Sequence, residues 1–241
     1  MEDSTKNPLS ESEFYFRQGE AQQDAGNVDV AISCYEECVR IGHPYFTAAS
    51  LLRLAVIYKS VSQPEKEKET LQRIDKLPEN EKRFLPHSII AWALARLGKY
   101  DEASAYYVES IKLKPTEFAT ILNFAELKII IGRLDEAETL LKKVEVLPDP
   151  KILIMSRFFY VLIAAMKEQG NDLTQALSNF IEAVKKVGIP GDLHWDFTEI
   201  TPTLSKIADK NNAQIVAKLT ALLERKVPVE EFLKDFSAVS I

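Results

Sequence analysis

Three histidines, two cysteines and several adjacent carboxylates are the first candidates for chemistry in this 241-residue chain. A general base or a nucleophile needs a partner within hydrogen-bond reach, and a metal needs several converging ligands. His43 precedes Pro44 at the end of a segment and His87 lies on a helical face; neither stands beside a repeated carboxylate or cysteine. His194-Trp195-Asp196 brings a histidine near an aspartate, but near neighbours along a helix do not face each other. Cys34 and Cys38 are too few for a disulfide framework and read as small apolar residues packed in a helix. With no third cysteine and widely spaced histidines, a zinc site lacks ligands. A phosphate loop and a G-x-G-x-x-G fingerprint are both missing from the sequence. These residues therefore predict no catalytic set, no cofactor and no metal.

The carboxylate pairs have another explanation, which lies in the elements that hold them. From Phe84 to Leu147 one pattern is written twice. The first copy is Ala91, Leu94, Gly98, Tyr100, Asp101-Glu102-Ala103, Tyr107, Pro115. The second is Ala125, Lys128, Gly132, Leu134, Asp135-Glu136-Ala137, Leu141, Pro148. Both the glycines and the alanines recur at 34 residues. His87, Ile90, Ala91 and Leu94 fall at steps of three and four, on one face of a helix. Gly98 closes that helix, because glycine takes the left-handed conformation without a Cβ clash. The following Asp-Glu then lies in the first turn of the next helix, where the positive dipole end favours carboxylates. Ala103 is small where two helices cross, and Pro115 ends the second helix.

Looser copies extend the pattern. The first repeat starts near Ser12, with Ser10–Glu13 as its cap, and turns at Gly26 toward Ala31. The second starts near Ala48, with Ser62 where glycine is usual and Glu67 where alanine is expected. Glu79–Arg83 is a charged link. In the fourth copy Lys128 puts a charge in an apolar slot, where its stem could reach the edge. The fifth starts near Ser156, or a few residues earlier, and ends its first helix at Gly170, six residues before Ala176. Gly188-Ile189-Pro190-Gly191 is a break. After it, Trp195, Phe197 and Ile200 precede the Thr201-Pro202-Thr203 interruption, and Val229, Phe232, Leu233 and Phe236 form a last amphipathic stripe. That stripe either closes the end of the stack or docks in a groove.

The turns Gly98–Ala103 and Gly132–Ala137, and more loosely Gly26–Ala31, resemble the tetratricopeptide repeat (TPR). The resemblance covers residues 12–187. It implies an all-α, right-handed α-solenoid, a superhelix of about five helix-turn-helix repeats, with C-terminal capping helices. The expected domains are a disordered tail over 1–11, the TPR array over 12–187 and a helical cap over 188–241. In that family the first helix of each pair lines a concave groove. Its slots fall here on Phe16, Glu20, Leu52, Val56, Trp92, Arg96, Leu122, Glu126, Ile129, Arg157 and Tyr160. One subclass of the family grips the C-terminal carboxylate of chaperone peptides with Lys and Asn. Phe16 and Glu20 hold those slots here and match neither.

The implied groove is apolar along Leu52, Val56, Trp92, Leu122, Ile129 and Tyr160 and charged at its edges, the anatomy of a protein-binding surface. It suits an amphipathic helix or an extended apolar peptide, with Trp92 as the anchor. The expected function is a non-enzymatic adaptor; the alternative is a homo-oligomer formed through the groove or the end repeats. The groove could also be filled by the chain's own C-terminal segment.

Composition agrees with a protein partner. The chain is 46% hydrophobic and 27% charged, with a net charge of −6, and so lacks the basic footprint of a nucleic-acid binder. Its longest apolar stretch, Lys151–Met166, is broken by Ser156 and Arg157, short of the roughly 20 apolar residues of a membrane span. Met-Glu-Asp-Ser-Thr-Lys-Asn-Pro is unlike a signal peptide. The expectation is a cytoplasmic protein with no membrane insertion.

Overall fold

Each of five helical hairpins turns on a residue in the left-handed region: Gly26 (φ 77°), Ser62 (55°), Gly98 (75°), Gly132 (77°) and Glu168 (55°). They are 36, 36, 34 and 36 residues apart. Five residues after each comes a buried position in the following helix: Ala31, Glu67, Ala103, Ala137 and Leu173. The backbone closes the turn in one way at four of them. The amides of Asn27, Gln63, Lys99 and Arg133 donate to the carbonyls of Gln22, Tyr58, Leu94 and Lys128 at 2.8–2.9 Å. This ring satisfies carbonyls that the helix end would leave unpaired.

The computed structural model describes residues 7–145, 147–168, 170–193 and 195–237. Among the described residues it holds fourteen helices and no strand. The chain divides into two compact units between Leu113 and Lys114.

The first unit contains α1 (Pro8–Asp24), α2 (Val28–Ile41), α3 (Pro44–Ser60), α4 (Pro64–Asp75), α5 (Glu79–Lys82), α6 (His87–Arg96) and α7 (Tyr100–Leu113). Three hairpins, α1/α2, α3/α4 and α6/α7, are stacked through α2 on α3 and α4 on α6. Helix α1 begins at Pro8 rather than after Glu11, so residues 8–11 of the expected tail are helical. Its cap is Asn7, whose side-chain oxygen accepts from the Leu9 amide at 3.1 Å. Ser12, expected near the cap, is buried within the helix. The rest of that tail, residues 1–6, lies outside the described residues. Gly19 is required by packing: a Cβ there would stand 2.6 Å from the Tyr35 ring. The Tyr35 hydroxyl donates to Gln23 Oε1 at 3.0 Å, and burial pushes its pKa up to about 12.

The second unit contains α8 (Phe118–Ile130), α9 (Leu134–Lys142), α10 (Pro150–Met166), α11 (Gly170–Val187), α12 (Thr201–Leu204), α13 (Lys210–Leu223) and α14 (Val229–Ser237). Two hairpins, α8/α9 and α10/α11, are followed by α13 on α10 and α14 on α13. The amphipathic stripe of α14 seats its Phe232 edge-on against Phe180 of α11, with Phe236 packed on Phe232. Val239, placed in the last amphipathic segment by its sequence, lies outside the described residues.

Two charged residues in apolar slots find partners. Glu67, in the alanine slot, is 4% exposed, and Arg96 Nη2 of α6 lies 2.9 Å from its Oε1. Lys128 is buried instead of reaching the edge. Its ammonium lies 2.8 Å from Glu136 Oε2 across its own hairpin and 4.9 Å from the Phe124 ring centroid.

The fifth repeat departs from its expected register. Helix α10 starts at Pro150, six residues before Ser156, with Asp149 as its cap. Glu168, not Gly170, takes the left-handed turn, and Gly170 opens α11. The residue equivalent to Ala103 and Ala137 is therefore Leu173, not Ala176.

Candidate binding faces

Counting back from the left-handed residue puts the first helices of all hairpins in one register. Six residues back stand Glu20, Val56, Trp92, Glu126 and Leu162. Ten back stand Phe16, Leu52, Ser88, Leu122 and Phe158. Nine back are Arg17, Arg53, Ile89, Asn123 and Phe159.

In the first unit, residues of these slots on α3 and α6 form an open recess. Leu52, Val56, Lys59 and Ser60 of α3 face Ile89 and Trp92 of α6 around a volume of about 370 Å3. Val56 is 46% exposed. The Lys59 ammonium lies 5.6 Å from the Trp92 ring centroid, a cation–π contact that braces the indole. Of the residues the sequence pointed to, Leu52, Val56 and Trp92 thus come together. Ile89 was missed; it lies one helical turn before Trp92, outside the slots that the family resemblance marks.

Three other residues of this unit are not part of the recess. Phe16 packs against Tyr35 and Phe46, with ring centroids 5.7 and 5.5 Å away. Glu20 is held by Arg53 of α3 at 2.8 Å. Arg96 turns to the buried carboxylate of Glu67.

In the second unit the same slots are covered. Leu122 and Ile129 are buried, so their expected place on an open groove is corrected to the core. Glu126 accepts a hydrogen bond from Trp195 Nε1 at 3.0 Å. The Trp195 ring stands edge-on to Phe159 at 5.6 Å, and the Phe197 ring edge-on to Phe158 at 5.5 Å. Lys206 Nζ donates to the Ile130 carbonyl at 2.8 Å. The segment between α11 and α13 therefore lies over the faces of α8 and α10.

Arg157 and Tyr160 follow the corrected register. They sit eleven and eight residues before Glu168, where the third hairpin has His87 and Ile90. Instead of facing the covering segment, they line a polar recess of about 360 Å3 with Glu138, Lys142 and Glu145 on one side and Asp172, Gln175 and Asn179 of α11 on the other. Arg157 Nη1 lies 2.9 Å from Glu145 Oε1. Burial, aided by the Glu145 carboxylate, holds the Tyr160 phenol protonated well above its ordinary range.

The chemical candidates are occupied by packing. His43 stacks obliquely on Phe46 and His87 on Tyr106. Cys38 is buried, its Sγ 3.4 Å from the Ser12 carbonyl, and burial pushes both thiols up. His194 lies outside the described residues. Among the described residues no three His, Cys, Asp or Glu side chains gather where a metal could sit, and no helix is long and apolar enough to cross a membrane.

The tetratricopeptide repeat profile matches residues 12–41 and 88–117, which are the α1/α2 and α6/α7 hairpins. The chain carries tetratricopeptide repeats. Solved structures share the fold at low identity. The crystal structure of the MamA protein aligns at 16% identity over 73% of this chain and 92% of its own, with a TM-score of 0.56. PilW, described as a widely conserved type IV pilus biogenesis factor, aligns at 16% identity over 97% and 100%, with a TM-score of 0.56. YrrB, described as a TPR protein with an unusual peptide-binding site, aligns at 15% identity over 85% and 90%, with a TM-score of 0.54. A comparison with curated proteins gives no match.

Proposed function

We propose that this TPR protein is a non-enzymatic adaptor that binds a peptide or amphipathic helix of another protein through the α3/α6 recess. One observation carries this reading: Leu52, Val56 and Trp92, marked by the slots that the family resemblance implies, meet with Ile89 around a single open depression of about 370 Å3. An apolar floor with one braced indole and a lysine at its edge takes an apolar side chain and its flanking backbone. A peptide-binding site in a protein of similar fold, YrrB, supports the same use of the scaffold.

Affinity capture with wild type and with a Trp92→Ala, Val56→Asp variant tests this. Both substitutions are at partly or fully exposed positions, so the fold is expected to survive. Partners that bind wild type and are lost from the folded variant support the recess. Equal capture by both proteins overturns it. Light scattering across concentration separates the second reading, self-association, which the exposed Phe14 on α1 favours, being 58% exposed.

A further inference from the structure

The geometry points to a second peptide-binding face on α8 and α10, already occupied by the chain's own residues 193–207 acting as a tethered ligand. This inference does not rest on the α3/α6 recess binding anything, because here the occupant is visible.

The seat is built from the slots that form the open recess elsewhere. Val56 and Trp92 stand six residues before their turns, and so does Glu126. Leu52 stands ten before and Ile89 nine before; Phe158 and Phe159 are their counterparts in α10. On these slots the covering segment behaves as a bound peptide would. Leu193 is buried, Trp195 gives its indole N–H to Glu126 and its ring to Phe159, and Phe197 enters beside Phe158. Residues 195–197 have no regular secondary structure, and they are anchored by side chains rather than by a hairpin. The ends are held by charge. Lys151 meets Asp192 at 2.5 Å, Arg225 donates to the Pro190 and Gly191 carbonyls, and Lys206 donates to the Ile130 carbonyl.

The occupant also specifies its competitor. A partner for this face carries an aromatic-x-aromatic segment, with Trp in the first place to donate to Glu126 and Phe in the second to enter beside Phe158. A basic residue further along would replace Lys206. A tether raises the local concentration of its ligand to the order of millimolar. A free peptide of equal chemistry therefore gains access only when the strap is weakened or released.

The test uses the full chain and a fluorescent peptide spanning residues 190–208. Wild type is expected to bind it weakly. The Trp195→Ala, Phe197→Ala chain, whose own segment has lost both aromatic anchors, is expected to bind at least tenfold more tightly. A peptide carrying the same two alanines is expected not to bind. A variant with unchanged circular dichroism that binds neither peptide overturns the proposal. Should the variant fail to fold, hydrogen exchange on wild type decides. Amides of 193–207 exchanging at least tenfold faster than those of α10 support a releasable ligand, and equal protection of the two overturns it.

Discussion

The two units use one hairpin and treat its face in opposite ways. In the first, slots six, nine and ten residues before the turn are open at Val56, Ile89 and Leu52. In the second, the same slots at Glu126, Phe159 and Phe158 lie under Trp195 and Phe197. The exposed large apolar residues follow this division. Leu9, Phe14, Val30, Tyr45, Val56, Val61, Phe84, Val108 and Leu113 all belong to the first unit, and none among the described residues belongs to the second. A repeat stack leaves apolar surface wherever nothing covers it. The second unit covers its own with the return segment and α13–α14, whereas the first leaves surface for something else.

The largest effect that would break this comparison is on stability. Phe197→Ala empties a fully packed site between the strap and α10 and is expected to cost about 3–5 kcal/mol. Trp92→Ala, at a half-open recess, is expected to cost less than about 1 kcal/mol. Denaturant midpoints with unchanged slopes measure both; equal losses would mean that the two faces are equally closed. Next in size is the buried pair of the first unit. Arg96→Leu leaves Glu67 inside without its cation, and a loss of about 3 kcal/mol is expected. Glu67→Ala combined with Arg96→Leu should recover most of it.

Smaller effects sharpen the comparison. Glu126→Ala removes one hydrogen bond to Trp195 and is expected to cost about 1 kcal/mol, with a shift in Trp195 emission that Trp92 does not show. Ser62→Gly and Glu168→Gly relieve a left-handed conformation in each unit and should each add on the order of 1 kcal/mol, measured as a rise in melting temperature. The smallest effect concerns pH. Hydrogen bonds from Lys167 and Lys128 hold the Asp135 and Glu136 carboxyls below their ordinary values. A lowered folded-state value stabilises above the unfolded one, and that contribution is lost as pH falls through the folded value. Wild type should therefore lose stability below about pH 4 more steeply than Lys167→Met. Parallel pH profiles would contradict this.

The hairpins were legible because their turns depend on local chemistry. Gly98 and Gly132 mark a left-handed residue, and five residues on an alanine marks the crossing. Leu52, Val56 and Trp92 of the α3/α6 recess were marked only through the family's slots, with Val56 and Trp92 holding one slot in consecutive repeats. The fifth repeat was misread for a related reason: Glu168 takes the left-handed turn without being glycine, and the nearby Gly170 draws the boundary two residues late. That shift made Arg157 and Tyr160 look like groove residues and hid Phe158 and Phe159. Arg96 was misplaced because its partner Glu67 lies in another helix, an ion pair that spacing does not reveal. The strap was illegible for a different reason. The Trp195–Glu126 hydrogen bond spans 69 residues between an irregular segment and a helix, and no periodicity announces such a contact.

Carbene footprinting of side chains, on wild type and on the Trp195→Ala, Phe197→Ala chain, tests the central claim most directly. The account predicts labelling of Val56 and Trp92 in both proteins, and labelling of Phe158 and Phe159 only in the variant. Phe158 and Phe159 labelled in wild type, or still protected in a folded variant, would contradict it.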